Sequence, residues 1–156
     1  MTKEEFMCEA IRLSMENVAS GNGGPFGCVI VKNGNIIARG VNTVTTSNDP
    51  TAHAEIVAIR EACKVLGSFQ LDGCELYTSC EPCPMCLGAI YWARPGKIYF
   101  ANGRGDAAKI GFDDLFIYEE LPRAIHERKI PTEQFLRDEA LAVFHAWQKS
   151  EIKKEY

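Results

Sequence analysis

The spacing of apolar and polar side chains divides the chain into alternating helices and strands. Over residues 3–18, Phe6, Met7, Ala10, Ile11, Met15 and Val18 recur at helical intervals, and Thr2 three residues ahead of Glu5 supplies a capping-box pattern. The Gly21-Asn22-Gly23-Gly24-Pro25 run ends that helix. Residues 26–32 form a β-rich run, Asn33-Gly34 is a hairpin turn signal, and 36–41 is the return strand. A polar loop over 42–51 leads to a helix over 52–66, with Ile56, Ile59, Ala62 and Cys63 on one face and Gly67 as its stop. A short strand at 74–78 precedes a helix over 82–93, which Arg94-Pro95-Gly96 ends. A strand at 97–101 and a Gly/Asp-rich loop to Asp114 follow. Residues 132–153 then read as a helix whose apolar content is Phe135, Leu136, Leu141, Val143, Phe144 and Trp147. An opening hairpin followed by alternating helices and strands predicts an α/β fold, a mixed sheet with helices on both faces. Without repeats, low-complexity segments or linkers, residues 1–156 read as one domain.

Length and charge narrow the class. A chain of 156 residues can bury a sizeable core. Its 46% hydrophobic and 24% charged content is that of a soluble globular protein. No apolar run is long enough to span a bilayer and the first residues lack a signal peptide's apolar stretch, so no membrane partner and a cytoplasmic location are expected. The net charge of −4 argues against nucleic acid as a partner, because phosphate binding calls for a basic face. The seven cysteines are an odd number, and three crowd into Cys80, Cys83 and Cys86. In this context the crowding reads as metal binding or catalysis sooner than as a disulfide framework. Cys8, Cys28, Cys63 and Cys74 fall at core-like positions and read as buried small hydrophobes.

Two short motifs carry the chemistry: His53-Ala54-Glu55 and Pro82-Cys83-Pro84-Met85-Cys86. Cysteines three apart in a helix's first turn share a face, and a helix N-terminus favours the thiolate that zinc needs. His53 supplies a nitrogen from the start of the preceding helix. Three protein ligands leave a fourth tetrahedral position for water, the pattern of catalytic zinc, which lowers the pKa of that water toward ~7. Glu55, two residues from His53, is poorly placed as a ligand and well placed to move protons. The alternative is a closed structural site in which Cys80 joins His53, Cys83 and Cys86 as fourth ligand, which leaves Glu55 without a role. His126 and His145 read as surface or helix residues.

An H-x-E motif followed by P-C-x-x-C is the signature of zinc-dependent nucleobase deaminases. On these residues the chain resembles the cytidine deaminase superfamily, and within it the bacterial guanine deaminases. The likeness extends to Gly24-Pro25-Phe26-Gly27, the 42–55 loop, the 78–94 block, Gly111-Phe112-Asp113-Asp114 and the final Lys154-Glu155-Tyr156. The last two features point to the guanine subgroup. The resemblance implies a three-layer α/β/α sandwich on a mixed five-stranded sheet, a zinc cofactor, and hydrolytic deamination of guanine to xanthine and ammonia, with Glu55 as the proton carrier. It implies that Asn42 reads the base edge as both donor and acceptor. Asp114 would read the amino and ring N–H edge, and Phe26 and Trp92 would line the pocket. It further implies a homodimer in which segment 132–156 is exchanged and Tyr156 approaches the substrate.

Plainer readings stand beside these. Phe26 and Trp92 could be core, Asn42 a turn residue, Asp114 the cap of a helix at Leu115, and Tyr156 a frayed end. Within the enzyme class the rivals are a tRNA adenosine deaminase, which shares the motif around His53 and this length, and a free cytosine or nucleoside deaminase. Outside it the rival is a zinc-stabilised interaction module, from which an intact Glu55 distinguishes the enzyme.

Overall fold

The computed structural model describes all 156 residues. By its internal contacts the chain divides into two units, Met1–Asp114 and Leu115–Tyr156. The first contains α1 (Lys3–Ser20), β1 (Gly27–Lys32), β2 (Asn35–Val41), a short α2 (Val44–Ser47), α3 (Ala54–Leu66), β3 (Cys74–Cys80), α4 (Pro84–Ala93), β4 (Lys97–Asn102) and α5 (Arg104–Lys109). The second contains α6 (Leu115–Glu120), a 3-10 turn at Ile125–Glu127 and α7 (Arg137–Lys149).

The sheet order is β2-β1-β3-β4, with β1 antiparallel to both β2 and β3, and β4 parallel to β3. The sheet is mixed, as expected, but it has four strands and not the five that the resemblance implied. After Asn102 the chain caps at Gly103 and turns directly into α5, so β4 stays an edge strand. Alternation along β1 shows the layering. Cys28 and Ile30 belong to a core shared with Ala54, Ala58 and Ala62 of α3 and Ile90 and Ala93 of α4. Val29 and Val31 face the other way, with Tyr77 of β3, against Phe6 of α1. A strand buried on both faces is the mark of a sheet with helices on either side.

Helix α1 begins with the expected box: the Glu5 N–H donates to Thr2 Oγ1 and the Thr2 N–H donates to Glu5 Oε2. Its buried face differs from the one read in the sequence. Phe6 and Ala10 are inside, but Ile11, Met15 and Val18 are exposed, and the third fully inward residue is polar, Asn17. Glu9 ties α1 to β2 by pairing with Arg12 and with Arg39, and these guanidiniums hold its carboxyl down at about 2. Helix α3 lies directly on β2. A Cβ at Gly40 would fall 2.2 Å from the Ala54 carbonyl oxygen, so only glycine allows the start of α3 to sit this close to the sheet. That contact fixes the residue next to His53. Of the four cysteines assigned to the core, Cys28 and Cys74 are buried and Cys63 packs at the core's edge, whereas Cys8 is exposed.

In the second unit the helix read over 132–153 is shorter, Arg137–Lys149, because Leu136 takes a left-handed conformation and the preceding residues are irregular. No residue from Leu115 to Tyr156 is buried. Val143, Phe144 and Trp147 form an exposed stripe at helical spacing on α7.

Candidate metal centre

Two helix starts bring the donors together. His53 is the N-cap of α3, Cys83 the N-cap of α4, and Cys86 lies in the first turn of α4 behind Pro84. Both predicted helices thus begin slightly later than their apolar pattern suggested, which puts His53 and Cys83 in extended backbone at the cap. His53 Nδ1 lies 3.6 Å from Cys83 Sγ and 3.5 Å from Cys86 Sγ, and all three ligand atoms are within 4.8 Å of one another. Zinc bonds of ordinary length at a tetrahedral angle separate a nitrogen and a sulfur ligand by roughly 3.6 Å. The donor set therefore fits zinc in chemistry and in spacing. No other group of His, Cys, Asp and Glu in the chain has this arrangement. Cys80 does not join it. Its thiol lies 3.9 Å from the Gly103 carbonyl oxygen, and burial pushes it up to about 11, so the closed four-ligand alternative finds no support in the geometry.

The two ligand thiols divide their proton unequally. Hydrogen bonding from Cys86, joined by His53, draws the Cys83 thiol well below its ordinary value. The same bond and burial push Cys86 up. His53 is raised, chiefly by its hydrogen bond to Cys83. Of the two thiols, Cys83 is therefore the more readily ionised.

Glu55 sits in the first turn of α3, buried, one position past Ala54. Burial raises its carboxyl above the ordinary carboxylate range, opposed by hydrogen bonds that favour the charged form. One of these comes from Thr78, fully buried on β3, whose Oγ1 donates to Glu55 Oε1 at 2.8 Å. Sequence reasoning passed over Thr78. The available signal was the Thr78-Ser79 pair following the apolar Leu76-Tyr77 in the strand, since buried hydroxyls must have partners. Ser79 has one as well: its Oγ accepts from the Gly27 N–H at 3.0 Å.

The remaining candidates are distributed as follows. Asn42 is buried, and its Oδ1 accepts from the N–H groups of Gly24 and Val44. Phe26 is half-buried and meets Phe112 edge to face at 5.0 Å between ring centres. Asp114 is half-buried, and its carboxyl is raised first by burial and further by the charge of Cys83. Trp92, at the end of α4, is 63% exposed. Tyr156 belongs to the second unit and is 71% exposed.

Known proteins match this arrangement. A family model described as the cytidine and deoxycytidylate deaminase zinc-binding region matches residues 1–102. The chain is 60% identical to a guanine deaminase of Bacillus subtilis over 156 residues, all of both chains. A crystal structure of guanine deaminase from Bacillus subtilis superimposes with a TM-score of 0.98 at 60% identity, over 100% of this chain and 99% of that one. A tRNA-specific adenosine deaminase of Aquifex aeolicus is 45% identical, but over 101 residues only, 65% of this chain and 66% of its own. With the ligand triad, the buried Glu55 and these matches in agreement, the chain belongs to the cytidine and deoxycytidylate deaminase family.

Proposed function

We propose that this chain is a zinc-dependent guanine deaminase, converting guanine and water to xanthine and ammonia. The observation that carries the reading is the convergence of His53, Cys83 and Cys86 beside a buried Glu55, in a chain similar over its whole length to a guanine deaminase. Zinc held by these three residues would supply a water acidic enough to attack the ring carbon that bears the amino group.

The protein's own groups do the rest. Glu55, with Oε1 tied to Thr78, takes up the two protons of the attacking water in turn, one as the new C–O bond forms and one as the amine leaves. It returns protons to the ring nitrogen and to the departing amine, a task suited to a carboxyl raised by burial. Asn42 has committed its Oδ1 to two backbone N–H groups, so it meets the base with its Nδ2 donors. In place of the donor-and-acceptor role that the resemblance implied, its part in this reading is donation alone, toward the carbonyl and ring-nitrogen acceptors of guanine. Asp114 accepts from the opposite edge. Phe26, braced by Phe112, offers an apolar wall to the flat ring.

The reading includes a cytoplasmic homodimer without nucleic-acid partners. A unit with no buried residue and an exposed Val143-Phe144-Trp147 stripe needs a cover, and a second copy exchanging segment 132–156 supplies it with two-fold closure. In that arrangement the partner subunit's Tyr156 approaches the substrate and Trp92 is covered. The net charge of −4 weighs against a tRNA substrate. Ammonia release from guanine, adenine, cytosine, cytidine and a tRNA tests the function. Release from guanine is expected. Release from the tRNA or from cytosine with none from guanine would overturn the substrate assignment.

A further inference from the structure

The buried amide of Asn17 has no part in the metal centre, yet it is bonded to the two segments that carry Asn42 and Phe26. Asn17 is 3% exposed on the inward stripe of α1. Its Nδ2 donates to the carbonyl oxygens of Gly24 at 2.8 Å and Asn42 at 2.9 Å, so both hydrogens are committed. Asn42 is held elsewhere too. Its N–H donates to the Phe26 carbonyl at 3.2 Å, and its Oδ1 accepts from Gly24 and Val44 at 3.4 and 3.2 Å. On its remaining side Gly23 packs so closely that a Cβ there would fall 2.1 Å from the Asn42 carbonyl oxygen. The peptide and Oδ1 of Asn42 are therefore fixed, and its Nδ2 is the polar group outside this bracket. Gly24 closes the knot, since a Cβ there would lie 3.2 Å from the Phe26 ring and 3.4 Å from Phe112.

Anchoring α1 does not require this pattern. The helix is already closed by the Gly21 N–H to the Val18 carbonyl, and Ser20 Oγ satisfies the Asn17 carbonyl at 3.1 Å. We propose that Asn17 is a positioning residue for base recognition: through the carbonyls of Asn42 and Gly24 it sets where the Asn42 amide and the Phe26 ring stand before guanine arrives. The inference rests on Asn42 meeting the base. It adds that the discrimination is preset from α1, a helix that contributes nothing to the metal site.

The test is a double-mutant cycle on the zinc-loaded protein with guanine. Asn17→Ala raises KM about tenfold with kcat changed by less than about threefold and zinc content intact, because the chemistry of Glu55 is untouched. Combined with Asn42→Ala it adds less than the sum of the two single effects, since part of its effect passes through that residue. Gly23→Ala, whose Cβ would collide with the same carbonyl, gives the same rise in KM and keeps the test available if Asn17→Ala folds poorly. An unchanged KM in both variants, with activity falling only in step with the folded fraction, would overturn the inference, and so would full additivity with Asn42→Ala. Should Asn42→Ala itself leave KM unchanged, the base-recognition reading fails and this inference falls with it. A raised KM in Asn42→Ala without one in Asn17→Ala or Gly23→Ala rejects the inference alone.

Discussion

Residues 1–114 and residues 115–156 use apolar side chains in opposite ways. In the first unit β1 is buried on both faces, and Cys28, Val29, Ile30, Leu76 and Ile90 are almost wholly inside. In the second, Phe116, Ile130, Phe135, Val143, Phe144 and Trp147 stand open, and no residue is buried. The first unit completes its core from its own sequence. The second carries amphipathic elements whose large apolar side chains are exposed. The difference follows the relatives: the family model and the tRNA-specific adenosine deaminase match about the length of the first unit, while the guanine deaminase matches throughout. The chemistry thus belongs to the part these enzymes share. The second unit lies outside the residues that the family model matches.

Removing a ligand separates the two units most sharply. His53→Ala, Cys83→Ser and Cys86→Ser are each expected to lose zinc and at least about a thousandfold in turnover, whereas Cys80→Ser keeps its metal. Metal analysis checks this, and equal loss in all four would restore the closed structural site. The next effect should arise in the second unit. Deleting residues 153–156 is expected to lower guanine turnover by about tenfold or more, with zinc content and secondary structure unchanged. Full activity after the deletion would remove the covering role, and a monomer by light scattering would remove the exchange.

The smallest expected effect is on stability and lies far from the site. Glu9, held at about 2 by Arg12 and Arg39, has a depressed pKa in the folded protein, so its contribution is complete above the unfolded value. That contribution disappears as pH falls from about 5 toward 2. Glu9→Gln is expected to cost up to about 1 kcal/mol at pH 7 and to flatten this part of the acid limb. Denaturant melts at pH 7 and pH 3 measure it, and an acid limb equally steep in the variant would show that Glu9 does not titrate this way.

The features that were legible in the sequence share a physical cause. The four observed strands, the α1 capping box and the ligand triad depend on local sequence: short β-rich runs between turn signals, a Thr-x-x-Glu box, cysteines three apart and a histidine at a helix start. What stayed hidden depends on pairing across the fold. Thr78 becomes informative only when β3 is seen to run past Glu55, and Asn17 only when the inward stripe of α1 proves to pass through it and not through Met15 or Val18. The hydrophobic pattern of α1 misled because its outward positions are also apolar. The fifth strand was carried over from the resemblance, and no run of residues after Asn102 supplies it.

Glu55 is expected to move protons beside a metal it does not bind. Zinc stoichiometry and xanthine formation from guanine, measured together on the wild-type protein and on Glu55→Gln, address it directly. The account predicts one zinc per chain in both proteins and at least about a hundredfold loss of turnover in the variant. Loss of zinc from Glu55→Gln as complete as from His53→Ala, or turnover undiminished by the substitution, would contradict it.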